Sequence, residues 1–222
     1  INGDGILATN ANGVVISRNT VTETTGPGAI EVLNTNSATI GGVTLVDGNT
    51  ITNSNNDGVR LQNSSNITVQ NNSIDGTGRV GIWGGNVNTA NILGNTVNHD
   101  NLGGYGSIHG GSNWTVSGND VDNGDYGIYL NNVGGALNLV HDNEVDNVTQ
   151  DGIRIVNTSG LTVSLNDIGT HGGNVGGNGI FVDPSNVAQL FDNNILNVGG
   201  NGIWSLNNDD ANIYHNSITG AG

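Results

Sequence analysis

"DGVRLQNSSNITVQNNSIDGT" (residues 57–77) and "DGIRIVNTSGLTVSLNDIGT" (residues 151–170) are two copies of one phrase. Each begins with a small residue followed by Ile or Val, passes through short β-branched runs, and ends on Asn-x-(Ile/Val). The phrase recurs along the chain, in "NGIFVDPSNVAQLFDNNILNVGG" (178–200) and again in "NGIWSLNNDDANIYHNSITGAG" (201–222). Its anchor is Gly5, Ala29, Gly58, Gly81, Ser107, Gly127, Gly152, Gly179 and Gly202, at intervals of about 20 to 29 residues. Its closing mark is Asn19, Asn49, Asn72, Asn95, Asn119, Asn143, Asn166, Asn193 and Asn216.

A period in this range marks a solenoid, propeller or array, and short β-branched runs bounded by Gly and Asn are strands rather than helices. A leucine-rich repeat would need Leu at fixed spacings, which this chain lacks. The residue after each anchor reads Ile6, Ile30, Val59, Ile82, Ile108, Ile128, Ile153, Ile180 and Ile203. Stacked at the strand spacing of about 4.8 Å, these make a continuous internal row. Val32, Leu61, Leu130, Ile155 and Val182, two places on, are expected to point inward as well. A second wall is expected from Ile16, Val46, Val69, Ile92, Val116, Val140, Val163, Leu190 and Ile213, three before each Asn mark. The Asn marks are assigned to the bends, where Asn tolerates left-handed backbone and its amide can bond the Asn above and below. The expected fold is all-β, a right-handed parallel β-helix solenoid of about nine coils, forming a single domain over residues 1–222. Phrases such as "DGIRIVNTSGLTVSLNDI" resemble the pectate-lyase-like repeat superfamily, and the resemblance covers almost the whole chain.

Composition narrows the function. The net charge is −15, with no Lys and four Arg (Arg18, Arg60, Arg79, Arg154), so the basic cluster that a nucleic acid requires is absent. No apolar run approaches the roughly 20 residues that span a bilayer, so the chain is not expected to be membrane-spanning. Without Cys there is neither a disulfide framework nor a thiolate metal site. An acidic, Asn- and Gly-rich chain that opens in mid-phrase fits a piece of a larger extracellular or cell-surface protein. Neither end shows an amphipathic capping helix, so the outer coils are expected to expose strand edges, and end-to-end self-association into a filament is one consequence.

The residue after the inward one must face out. That row reads Leu7, Glu31, Arg60, Trp83, His109, Tyr129, Arg154, Phe181 and Trp204, so scarce residue types gather on one stripe about 40 Å long. Aromatic faces cover the apolar faces of sugar rings, and Arg forks pair with carboxylate or sulfate. Arg60, Trp83, His109, Tyr129, Arg154, Phe181 and Trp204 are therefore the expected ligand-binding set, with polysaccharide or a cell-surface partner as ligand. The same row also suits an aromatic ladder packed under a loop or partner. Asp75, Asn98, Asp122 and Asp146 form another column, three residues after successive Asn marks; it is read either as a calcium site or as a solvated acidic edge.

Chemistry on a uronate polymer would need a base beside the carboxylate-bearing carbon and a charge neutraliser. Arg60 or Arg154 would neutralise, and His109 or Tyr129 would move the proton. The pectate lyases' Arg-x-Pro-x-x-Arg signature is missing. Of the polygalacturonase motifs, only "NDD" at Asn208–Asp210 resembles any. Resemblance to mannuronan C5-epimerases, which carry Tyr-Gly-Phe-Asp-Pro-His, reaches Phe181, Asp183 and Pro184 of "NGIFVDPSN"; Ser185 stands where their His would be, so only Asp183 is carried over as catalytic. The five His residues are scattered along the chain, which predicts no zinc or copper site. The leading reading is an extracellular scaffold or adhesin module. A lyase or C5-epimerase of uronate polymers and a filament subunit are the alternatives.

Overall fold

The alternation along each phrase becomes three walls of parallel strands in the computed structural model, which describes residues 1–99, 105–131, 138–158, 160–185 and 187–222. The first wall runs from Ile6–Thr9 to Ile203–Ser205, the second from Val14–Ile16 to Asn212–Tyr214, and the third from Thr20–Thr22 to Ser217–Ala221. Each strand pairs in parallel with its counterpart one coil away, as Ile128 does with Ile153 and Val121 with Val145. The third wall stacks 9 strands joined by one fewer step, so the chain completes about eight turns rather than the nine coils expected. Asp57–Gln70 and Ile82–Leu93 run unbroken around the corner between the first two walls and join them in a 16-stranded sheet. Among the described residues the sole helical segment is the short turn Leu45–Asp47, and no helix is long and apolar enough to cross a membrane.

All three walls send aliphatic side chains inward. The anchor-following row is fully buried from Ile30 to Ile180, and Val32, Leu61, Leu130, Ile155 and Val182 join it as expected. The third wall adds Ile51, Ile74, Val97, Val121, Val145, Ile168 and Ile195. Each such side chain contributes about 1.5–3 kcal/mol by leaving water. Its rows also explain the anchors. A Cβ on Gly81 would lie 2.2 Å from Val97 Cγ1, and one on Gly127 2.3 Å from Val145 Cγ1, so the third wall closes directly onto the anchor backbone.

One second-wall assignment is corrected. Val46 is 80% exposed, and Ile40 takes the inward place, paired with Ile16 on one side and Val69 on the other. The excursion from Gly42 to Gly48 shifts any count made backwards from Asn49. Ile213 is in register with Leu190 but half exposed on the last coil.

A third Trp compensates for two glycines. Gly84 and Gly110 occupy inward places that neighbouring coils fill with Leu61 and Leu130. The indole of Trp114, fully buried, fills that volume; a Cβ on Gly84 or Gly110 would lie 2.3 or 2.1 Å from it. Its Nε1–H donates to the Val87 carbonyl at 3.4 Å.

The Asn marks form a ladder running unbroken from Asn19 to Asn216, each Nδ2 donating to the Oδ1 of the next coil at 2.9–3.0 Å. That Oδ1 also accepts the backbone N–H of the Asn donating to it, as Asn119 does from Asn95 at 2.9 Å. The remaining Nδ2 hydrogen reaches main-chain carbonyls, Ile92 O at 2.9 Å in the case of Asn119. The left-handed backbone expected at the marks sits one residue earlier, at Asn71 (φ 56), Gly94 (φ 60), Gly118 (φ 64), Asp142 (φ 55) and Leu165 (φ 57). The predecessor makes the bend, which leaves the Asn side chain free to lie along the stack.

Candidate functional site

The outward stripe is in register throughout: Leu7 pairs with Glu31, then Arg60, Trp83, His109, Tyr129, Arg154, Phe181 and Trp204 follow coil by coil. Its arginines come from the repeated Asp-Gly-(Val/Ile)-Arg phrase. Arg60 donates through Nη1 to Asp57 at 3.0 Å, and Arg154 through Nη1 to Asp151 at 2.7 Å. Each guanidinium then lies over the ring at the matching place one coil on: Arg60 is 4.1 Å from the Trp83 ring centre and Arg154 is 4.2 Å from that of Phe181. A planar cation held at its edge by a carboxylate and on its face by an aromatic ring has little freedom left.

Around Arg60 the network closes further. Its Nε donates to Glu31 Oε1 at 3.1 Å and its Nη2 to Gln62 Oε1 at 3.2 Å. Asp57, fully buried, accepts from Arg79 as well. Burial holds the Asp57 carboxyl above the usual carboxylate range despite both arginines. Burial, reinforced by Asp4, does the same to Glu31. Arg79 approaches Trp83 at 5.2 Å and Tyr105 at 5.4 Å.

At the centre, His109 meets Tyr129 edge-on with ring centres 4.8 Å apart, and Tyr105 lies 6.0 Å away. Tyr126 packs 5.3 Å from Tyr129 and 5.6 Å from the Arg154 guanidinium. Phe181 is buried under a perpendicular contact with Trp204, which is 43% exposed. Burial first, and the Arg79 charge second, push the His109 imidazole down to about 4, so it is neutral at pH 7. Its Nδ1 is buried with no hydrogen-bond partner among the described residues. Beside it opens a cleft of about 640 Å³, bordered by Gly84, Asn86, Asn88, Gly110 and Gly111. Asp183 is not brought to this centre: it lies beyond Phe181, about three coil spacings or roughly 15 Å along the stack from His109. Its Oδ1 accepts from Asn207 at 3.0 Å.

Arg79, Tyr105 and Tyr126 are the participants that the alternation rule missed, along with the buried partners Asp57 and Asp151. All sit one or two residues before an anchor. Asp-Gly-x-Arg occurring twice was the available signal for the two acids.

The second expected site lies on the third wall. Asp75, Asn98, Asp122 and Asp146 are in register. Amides occupy most of the column: Asn98 donates to Asp75 at 2.8 Å, Asn123 to Asn98 at 2.7 Å, and Asn147 to Asp122 at 2.8 Å. Asp146 differs. It stands with Glu144 and His171 in a group whose ligand atoms all lie within 4.8 Å of one another. His171 and Asp146 are about one coil apart in sequence and so stack in space. Burial raises both carboxyls, opposed by His171 and reinforced by neighbouring Asp residues.

The family model described as "Right handed beta helix region" matches residues 1–135 and 99–218, which together span nearly the whole chain. No curated protein matches the sequence. Among solved structures the chain is similar to the Azotobacter vinelandii mannuronan C-5 epimerase AlgE4 A-module, with a TM-score of 0.50 at 15% identity over 99% of this chain and 80% of that one. At that identity the likeness is one of fold. With two overlapping family matches, a three-walled parallel stack and an unbroken Asn ladder, the chain belongs to the right-handed β-helix family.

Proposed function

We propose that this protein is an extracellular or cell-surface scaffold whose outward stripe binds a polysaccharide, and that the sugar is uncharged. The observation carrying this reading is the in-register column of aromatic rings and arginines, in which every guanidinium already has a carboxylate partner. Arg60 is held by Glu31 and Asp57, Arg79 by Asp57, Arg154 by Asp151, and Arg18, away from the stripe, by Asp47. A polyuronate would meet a chain of net charge −15 with its cations already neutralised. A neutral chain loses nothing to repulsion and gains stacking on Trp83, Tyr105, Tyr129 and Trp204. Retention of a neutral glucan by the wild type, its loss in Trp83→Ala/Tyr129→Ala, and unchanged circular dichroism are the expected results. Equal retention by that variant would sink the reading.

One observation supports an enzymatic second reading, a lyase or C5-epimerase of uronate polymers. His109 is neutral, carries an unpartnered nitrogen and touches Tyr129, the equipment for moving a proton. The likeness in fold to a mannuronan C-5 epimerase module lies in the same direction. It ranks second because Arg60 and Arg154 would have to leave their carboxylates to neutralise a uronate. Proton NMR of alginate and polygalacturonate incubated with the protein distinguishes the two: new unsaturated-sugar signals or altered residue ratios establish the enzyme, and unchanged polymers exclude it for these substrates.

A further inference from the structure

The third wall carries a group unrelated to the stripe. Glu144 and Asp146 leave one strand on the same side, and the excursion that follows Ile168 folds back to lay His171 against them. His171 Nδ1 is 2.6 Å from Glu144 Oε1 and 3.8 Å from Asp146 Oδ2. Gly173 makes the fold-back possible, because a Cβ there would lie 2.7 Å from that of Asp146. The hollow in front of the group, about 310 Å³, is also bordered by Asp120 and Asp122, so four carboxylates face one imidazole.

A solvated acidic edge would leave its carboxylates in water or bonded to amides, as Asp75 and Asp122 are. Asp146 is 7% exposed, and its Oδ1 is buried without a hydrogen-bond partner among the described residues. A buried carboxylate with one bare oxygen is costly to keep charged, and an ion bound through its Oδ2, the oxygen 3.8 Å from His171, would offset that cost.

We propose that Glu144, Asp146 and His171 bind one divalent transition-metal ion of the zinc type, with the fourth position open to water. The imidazole sets the metal class: nitrogen together with carboxylates suits zinc and its neighbours, whereas calcium takes oxygen alone. Donors sharing an ion at about 2.0–2.2 Å stand roughly 3–3.5 Å apart, so the close His171–Glu144 pair opens and the Asp146 distance shortens. Both adjustments fall on the exposed side chains, since those of His171 and Glu144 are 61% and 39% accessible, and Asp146 stays fixed at 9%. Binding ties the fold-back to the coil beneath it.

Calorimetric titration of the purified chain with zinc chloride, repeated with cobalt(II) for its visible absorption, tests the site. The wild type is expected to bind one ion per chain, with zinc raising the thermal midpoint. His171→Ala, on an exposed residue that the fold does not need, is expected to weaken binding by about 100-fold and abolish the shift, and Glu144→Gln to weaken it by at least about tenfold. His141→Ala and His215→Ala control for the exposed His–Asp contacts elsewhere and are expected to change nothing. Wild-type affinity in His171→Ala, loss of binding only in the two controls, or calcium binding as tightly as zinc would each overturn the proposal.

Discussion

Asn119 and Tyr129 follow one another along the chain, and each meets its counterparts one coil above and below. Asn119 is flanked by Asn95 and Asn143, and the three amides bond in series, each Nδ2 to the next Oδ1. Tyr129 is flanked by His109 and Arg154, neither of which resembles it. Stacking rewards identity at the corner, because an amide is both donor and acceptor and so complements a copy of itself. On the stripe it rewards difference: a guanidinium over a ring, an imidazole edge against a phenol. One column is therefore fixed by the fold and the other is available to function.

The largest effect that tests this contrast is expected at the corner. Asn119→Ala strips a partner from the Asn95 N–H and the Ile92 carbonyl, while the Asn95 Nδ2 keeps the Val69 and Leu93 carbonyls. At about 1–3 kcal/mol for each buried group left bare, the loss is about 2–6 kcal/mol, read by urea unfolding. A loss near that of a surface site would show that the ladder is ornamental. Trp114→Ala, beneath the stripe, is expected to cost about 3–5 kcal/mol, because Gly84 and Gly110 offer nothing to refill the cavity.

Acid gives the next measure. His109 is held at about 4, below its unfolded value of 6.5, so the folded state resists the proton that the unfolded chain accepts. The stability it contributes is complete above pH 6.5 and lost as pH falls toward 4, about 3 kcal/mol in all. Buried Asp57 and Glu31, with raised pKa values, act in the opposite direction, so the quantity to compare is wild type minus His109→Gln across that window. No pH dependence in the difference would mean that His109 is solvated. Smaller still, Trp83→Ala is expected to cost about 1 kcal/mol of stability through its lost contact with Arg60, while removing glucan retention. The smallest effect belongs to Asp75→Asn, under about 0.5 kcal/mol, since the bond it accepts from Asn98 is exposed to water.

Most of the fold was legible because each coil repeats two marks, and alternation then dictates what faces in. It failed where counting crossed an insertion: Val46 was assigned the place of Ile40 because six residues intervene before Asn49 that other coils lack. Trp114 was invisible for another reason. Alternation gives direction but not volume, and only the stack shows that two glycines of one wall are filled from another. The stripe's membership was legible and its electrostatics were not. Asp57 and Asp151 sit before the anchors, where the chain bends and strand alternation no longer applies, so their neutralising role needed the structure. His171 was hidden by sequence distance, which in a solenoid is about one coil and therefore none at all.

The Asn ladder has a direction. At each step from Asn19 to Asn216 an Nδ2 donates to the Oδ1 of the next coil toward the C-terminus, so the side-chain dipoles line up head to tail along the stack. Aligned hydrogen bonds polarise one another, which makes each step firmer for having neighbours on both sides. The column thus has a donor pole and an acceptor pole, like a bar magnet, and a further coil can join either pole only in the orientation that continues the series.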